Sequence, residues 1–360
     1  MVFPAFFVFM LSFLFVSDGI AQSFQGGAVT QSKMNPAIAA VGEFEASASD
    51  DKSLAHPHQL RFLGGDLDIY AYVDPYFKAE MVICLHHKHA GFEEAYLESM
   101  TLPAGLKLRI GKFKAPFGKW NTVHGHALPV INMPACWERV FGEDGLNESG
   151  IAVSEMIPFL PTYHEIIGLA LNGENQTAFN GAATRDLLYM GHLKNFFELG
   201  GYRTLEIGIS HARGRNNNIN SPRLYTNVTG ANAIFQWKNS MLPLERAFTL
   251  WSEIYYNQRD TLDVDDVQKT HISTGYFILG KLQFLKRWYA TCMYDYSGDP
   301  VNTGEIIRNV STGVSFQPSE FSEIKLEYRR TMSDRSEQDP INELKAMVVF
   351  TIGAHGPHAF

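Results

Sequence analysis

The sequence predicts an all-β chain, a transmembrane antiparallel β-barrel of about 16 strands with a long third outer loop folded inward. Three observations lead there. Apolar and polar residues alternate with period two along most of the 360 residues. Short turns alternate with longer polar loops. An apolar run from Phe3 to Val16 is followed by Gly19-Ile20-Ala21, small residues at −3 and −1 that suit cleavage before Gln22.

The N-terminal elements follow from that last pattern. Residues 1–21 read as a signal peptide, and 22–37 as a flexible, polar periplasmic lead-in. Residues 38–360 remain for the barrel. The leader's apolar run falls short of the ~20 residues a spanning helix needs. No later window is apolar and uncharged over about 18 residues, so a membrane-embedded mature chain requires a closed barrel.

The strands read in order as follows. The first covers Ile38 to Ser47. The second, Leu63 to Val73, sets Leu67, Ile69 and Ala71 against Asp66, Asp68 and Tyr70, and Asp74-Pro75 turns it. The third, Tyr76 to His86, sets Phe77, Ala79, Met81, Ile83 and Leu85 against Lys78, Glu80, Val82, Cys84 and His86. Gly91 to Leu102 and Leu106 to Ile110 follow, joined at Pro103. The long segment Lys114 to Ser149 interrupts the rhythm and falls at the third outer loop, which folds into the lumen in many porins. Beyond it come Gly150 to Pro158, Tyr163 to Asn172, Arg185 to Leu199, Thr204 to Arg213, Arg223 to Lys238 and Ala247 to Arg259. Thr270 to Leu285, Trp288 to Ser297, Ile307 to Gln317, Ser322 to Met332 and Asn342 to Gly353 complete the set. Phe360 supplies the terminal aromatic residue common in barrels.

Composition agrees without deciding. Charged residues are 19%, aromatics 13% and hydrophobic residues 45%, which suits a lipid-facing barrel and a dense β-sandwich alike. The net charge of −8 and the lack of any basic cluster argue against nucleic acid as a partner. Cys84, Cys136 and Cys292 form no Cys-x-x-Cys pair, which excludes a zinc ribbon or thioredoxin-like site. No Gly-x-Ser-x-Gly, His-Glu-x-x-His, phosphate loop or dinucleotide glycine motif occurs, so no enzyme, catalytic residue or bound cofactor is expected.

Several local motifs resemble a porin-like family of bacterial outer-membrane β-barrels often labelled zinc-regulated TonB-dependent outer-membrane receptors. They are Glu93-Glu94-Ala95-Tyr96-Leu97, Leu102-Pro103, Gly105-Leu106-Lys107-Leu108 and Gly111-Lys112-Phe113. Phe117-Gly118, Asn121, His124, His126, Pro134, Phe141-Gly142-Glu143 and the tail Gly353-Ala354-His355 with His358 and Phe360 extend the likeness. It is densest over residues 91–150, and its motifs are specific together but weak singly. The resemblance implies a porin-type barrel in the outer membrane of a Gram-negative-type bacterium.

The candidate site residues are histidines. His86, His87 and His89 sit at a strand end and loop, and His124 and His126 lie two apart on the long segment. Imidazoles at i and i+2 of an extended chain point the same way and suit zinc, with Glu93, Glu94 or Glu143 completing a set. Loop histidines with local hydrogen bonds are the bland alternative. Inward charges include Lys78, Lys107, Arg109, Lys325 and Arg329 against Glu43, Glu45, Asp66, Asp68, Glu80, Glu206, Glu253, Glu323 and Glu327. They set pore selectivity, with any bias toward cations, or brace the wall as cross-strand pairs.

The sequence therefore points to a porin-like outer-membrane channel for passive passage of small solutes or ions. Its expected partners are outer-membrane lipid and lipopolysaccharide, the barrel-assembly machinery and, as in many porins, two further copies in a homotrimer. Two alternatives stay open: a zinc-binding or zinc-uptake protein using the His-bearing loops, and a soluble periplasmic all-β binding protein.

Overall fold

The alternating segments pair edge to edge until the sheet meets itself. A computed structural model describes residues 35–85, 90–182, 185–218, 222–239, 246–263, 265–301, 304–334 and 339–353. Its strands are β1 (Ala37–Ser49), β2 (His58–Tyr72), β3 (Phe77–Leu85), β4 (Ala90–Ser99), β5 (Lys107–Lys114), β6 (Asn147–Met156), β7 (Tyr163–Leu171) and β8 (Leu188–Gly200). They continue as β9 (Arg203–Arg215), β10 (Tyr225–Asn239), β11 (Arg246–Leu262), β12 (Gln268–Leu285), β13 (Trp288–Gly298), β14 (Ile306–Ser319), β15 (Ser322–Ser333) and β16 (Ile341–Gly353). Each pairs antiparallel with its sequence neighbours, and β1 closes the barrel on β16 from Ala39↔Gly353 to Ser49↔Glu343.

The expected strand count holds, and boundaries move by a few residues. β5 runs on to Lys114 and β6 begins at Asn147, so the long segment is shorter than the sequence suggested. Ala37, read as lead-in, already belongs to β1. The leader, the rest of the lead-in up to residue 34 and Phe360 lie outside the described residues.

Side-chain alternation gives the wall two unlike faces. On β11, Leu250, Ile254 and Tyr256 are exposed outward, whereas Trp251, Glu253 and Tyr255 are buried inward. On β15, Ile324, Leu326 and Tyr328 are exposed, and Lys325 and Glu327 are buried inside. Tyr76, Tyr163, Tyr202, Trp288 and Phe321 stand exposed near the short-turn rim, where an interfacial girdle belongs. An apolar exterior around a polar-lined interior inverts a water-soluble sandwich, so the soluble alternative does not fit.

The interior departs from the uniformly wet lumen that the alternation implied. Leu169 and Leu171 on β7, Leu188 and Met190 on β8, Val228 on β10, Trp251 and Tyr255 on β11, Phe277 and Leu279 on β12, and Met293 on β13 all turn inward. They share one apolar core with the inward loop. Charge concentrates on β1 to β5 and β15 to β16, partly as cross-strand pairs. Arg61 lies 2.5 Å from Glu45, and Lys78 and Arg109 lie 2.8 and 2.6 Å from Glu98; outside that sector, Lys194 on β8 lies 3.0 Å from Glu206 on β9.

A charge placed on the outer face tests its contact with lipid. Leu326→Arg, near the middle of β15, should cost about 2–4 kcal/mol in folding titrations into phospholipid vesicles. Ser319→Arg, beside the short turn, should cost about 0–1 kcal/mol. Equal costs would mean that this face does not meet a hydrocarbon core.

Candidate functional site

The site is the segment between β5 and β6 and the mouth above it. Two chain ends must first be brought together at its base. Ala115 N–H donates to Leu146 O at 2.9 Å. The Asn121 amide bridges both ends, donating to Ala115 O (2.7 Å) and Leu146 O (2.9 Å) and accepting from Leu146 N–H (2.8 Å). Gly145, at φ +67°, passes against Asn121 and Trp137 where any Cβ would clash. Pro134 leads into α1 (Ala135–Phe141), and Gly142 at φ +81° ends it. This short helix, read only as loop in the sequence, turns Cys136, Trp137, Val140 and Phe141 into the core.

Wall carboxylates then grip the loop by its main chain. Glu253 accepts from Lys119 N–H (2.9 Å) and Trp120 N–H (2.8 Å), and from its same-face neighbours Trp251 Nε1 (2.9 Å) and Tyr255 Oη (2.6 Å). Gly118, at φ +64°, touches this carboxylate, and its N–H donates to Ser210 Oγ at 3.0 Å. Asp295 accepts from Ala135 N–H at 2.9 Å, and Glu327 from Ile131 N–H (2.6 Å) and Asn132 N–H (3.3 Å). Cations on the wall donate in the opposite sense. Lys325 Nζ reaches His126 O (3.1 Å) and Leu128 O (2.7 Å), Arg329 reaches Met133 O (2.9 Å), and Lys345 reaches Asn132 Oδ1 (2.6 Å).

Aromatic packing completes the hold. Phe117 lies 5.0 Å from Phe141 and 6.2 Å from Tyr255, and Trp120 lies 5.2 Å from both Trp251 and Phe277, centroid to centroid. Truncating a buried aromatic of this kind costs about 3–5 kcal/mol. The loop is thus a packed element of the lumen. It crosses from β5 past β9 and β11 to β13, β15 and β16, and narrows the passage.

The predicted histidines occupy the opposite side. His124 Nδ1 and Nε2 each lie 3.2 Å from a carboxylate oxygen, Glu93 Oε2 and Glu94 Oε2. Burial works against the charged ring, but the hydrogen bonds to Glu93 and Glu94 outweigh it and push its pKa up to about 9. His126 stacks on His124 at 5.7 Å, 14° from parallel, across a 3-10 turn over Gly125–Ala127 where the sequence reading expected extended chain. It faces a different carboxylate, Asp66 Oδ2, at 3.4 Å. The pair is therefore brought together but does not converge on one point. His86, His87 and His89 lie outside the described residues.

Glu93 and Glu94 can both face inward because β4 is bulged. Val82 pairs with Glu94 and Ile83 with Phe92, leaving Glu93 as the extra residue. Above them opens a cavity of about 700 Å³ lined by Glu43, Asp66, Glu93 and Glu148 from the strands and by Glu143, Asp144 and Glu174 from the loops. Against these seven carboxylates stand Lys112, Lys114 and His126, a surplus of acidic groups. Two mixed groups of ligand atoms, each within 4.8 Å, occur among the described residues: Glu80, Glu94 and His124, and Asp66, Cys84 and Glu93. Glu143 joins neither. All three cysteines are free, with Cys136 buried in α1 and Cys292 exposed on the outer face.

Sequence reasoning placed Glu253, Glu327, Lys325 and Arg329 on the correct face but missed that they hold the loop. A signal was present on β11. Trp251-x-Glu253-x-Tyr255 puts one acid between two aromatic donors on the same face, an arrangement suited to a buried anchor.

Comparison with known proteins bears on the architecture. Solved outer-membrane proteins superpose on the barrel. In-vitro folded OmpT of Vibrio cholerae, in its trimer form, matches 88% of this chain and 99% of its own, with TM-score 0.59 and 12% identity. The anion-selective porin of Comamonas acidovorans has TM-score 0.60 and 9% identity over 88% and 99% of the two chains. The outer membrane channel DcaP of Acinetobacter baumannii has TM-score 0.59 and 10% identity over 88% and 97%. The fold is that of a 16-stranded porin-like barrel. It fits the bacterial outer membrane. An uncharacterized protein of Aquifex aeolicus (strain VF5) is 27% identical over 325 residues, spanning 82% of this chain and 69% of that one. No protein-family model matches the sequence.

Removing the central anchor should free the loop without opening the wall. Hydrogen bonds to a charged group contribute about 1.5–3 kcal/mol each, so Glu253→Ala should speed tryptic cleavage after Lys119 by about tenfold or more. Unaltered cleavage in a variant that keeps heat-modifiable gel migration would mean that the apolar contacts hold the loop alone.

Proposed function

We propose that the chain is a narrow, cation-preferring outer-membrane channel through which small solutes pass passively. The observation that carries this reading is the inward loop, pinned across the lumen by Glu253, Asp295 and Glu327 beneath an acidic mouth. A fixed constriction limits size, and a surplus of carboxylates at its entrance raises the local cation concentration. The fold shared with porins supports the reading, and the trimer form of OmpT supports a homotrimer as the assembly. Energised uptake gains no such support. The barrel closes with 16 strands among the described residues, where plugged transporters use 22.

Single-channel recording of the refolded mature protein in planar bilayers tests this. Small conductance steps with a cation-selective reversal potential are expected in a salt gradient. Deleting residues 122–136 should enlarge the steps. The combined Glu143→Gln, Asp144→Asn and Glu174→Gln variant should move the reversal potential toward zero. A folded barrel that gives no steps before or after the deletion would sink passive conduction.

A further inference from the structure

The mouth also brings together three side chains from adjacent strands. Asp66 and Cys84 are directly opposed across β2 and β3, and Glu93 is the bulge residue of β4. One ligand atom from each lies within 4.8 Å of the other two, and all three line the 700 Å³ cavity. We infer that Asp66, Cys84 and Glu93 bind one divalent transition-metal ion of the zinc class at the channel mouth. This does not depend on whether the barrel conducts.

The donor set selects the kind of ion. Calcium and magnesium take oxygen ligands, whereas a sulfur ligand favours zinc and its neighbours. The spacing fits as well. With zinc at about 2.3 Å from sulfur and about 2.0 Å from oxygen, tetrahedral ligands stand roughly 3.5 Å apart. Cys84 Sγ and Glu93 Oε2 are 3.4 Å apart, joined by the thiol proton. The metal replaces that proton: the S–H bond breaks, a sulfur–metal bond forms, and the proton leaves to bulk water. Three protein ligands leave a fourth position open to the cavity for water.

The surrounding groups hold the ligands in place. Lys114 Nζ lies 2.7 Å from Glu93 Oε1, and Oε2 faces both Cys84 Sγ at 3.4 Å and His124 Nδ1 at 3.2 Å. His126 Nδ1 lies 3.4 Å from Asp66 Oδ2. Outer partners of this kind orient metal-binding carboxylates. The neighbouring group of Glu80, Glu94 and His124 is assigned differently. None of those three side chains lines the mouth, where a hydrated ion arrives.

Cobalt(II) is the probe, because thiolate ligation gives it a near-ultraviolet charge-transfer band. The refolded, reduced full barrel in detergent is titrated with Co²⁺ alone. The band should saturate at one equivalent and disappear when Zn²⁺ is added. It should persist in Cys136→Ser/Cys292→Ser, vanish in Cys84→Ser, and require about tenfold more cobalt in His126→Ala, which acts through Asp66. Heat-modifiable migration shows that each variant is folded. No band in the unaltered protein, or a band that survives Cys84→Ser, overturns the assignment. Visible cobalt bands without the thiolate band overturn it too, and place the metal on Glu80, Glu94 and His124.

Discussion

Glu253 accepts hydrogen bonds from two loop amides, an indole and a phenol within a ring of aromatic side chains. Burying a carboxylate is costly unless its oxygens are fully engaged. Here the engagement runs both ways: the acid needs the donors, and the loop amides, drawn out of any regular ladder, need an acceptor. Asp295 and Glu327 repeat the arrangement further round the wall. Without these anchors the apolar side of the loop would still prefer the aromatic wall, but nothing would fix its depth or direction. The constriction therefore rests on a few buried charges more than on the barrel itself.

The lumen consequently has two characters. Strands β7 to β13 present an apolar inner face that the loop covers, so that sector is as densely packed as a soluble core. Strands β1 to β5 keep their charges beside the remaining space, where Glu43, Asp66 and Glu93 meet Lys112 and Lys114. The bulge at Glu93 belongs to this second half. It gives up regular pairing at the long-loop rim and in exchange turns two consecutive carboxylates inward.

Much of this architecture was legible because a barrel writes itself into sequence with period two. Ile324, Leu326 and Tyr328 against Lys325 and Glu327 already named both faces of β15. The interruption at Lys114 to Ser149 located the inward loop, because no alternation survives there. What alternation cannot convey is which inner faces the loop will cover. Tyr276-Phe277-Ile278-Leu279 is apolar on both faces, the mark of a strand buried on two sides. Recognising its partner needed three dimensions. The mouth was half legible. His126 was singled out by spacing, whereas Cys84 became relevant only through the register that sets it opposite Asp66.

The anchors also lie far along the chain from what they hold. Lys119 and Trp120 meet Glu253 more than a hundred residues later, and Lys345 reaches Asn132 across 213. Most of these polar anchors grip peptide groups, with Asn132 held by its side chain as well. A main-chain amide is the same whatever residue carries it. Positions such as Gly125 and Ala127, which are not buried and take no part in these anchors, can therefore change while the loop's main-chain seat in the wall is inherited unchanged.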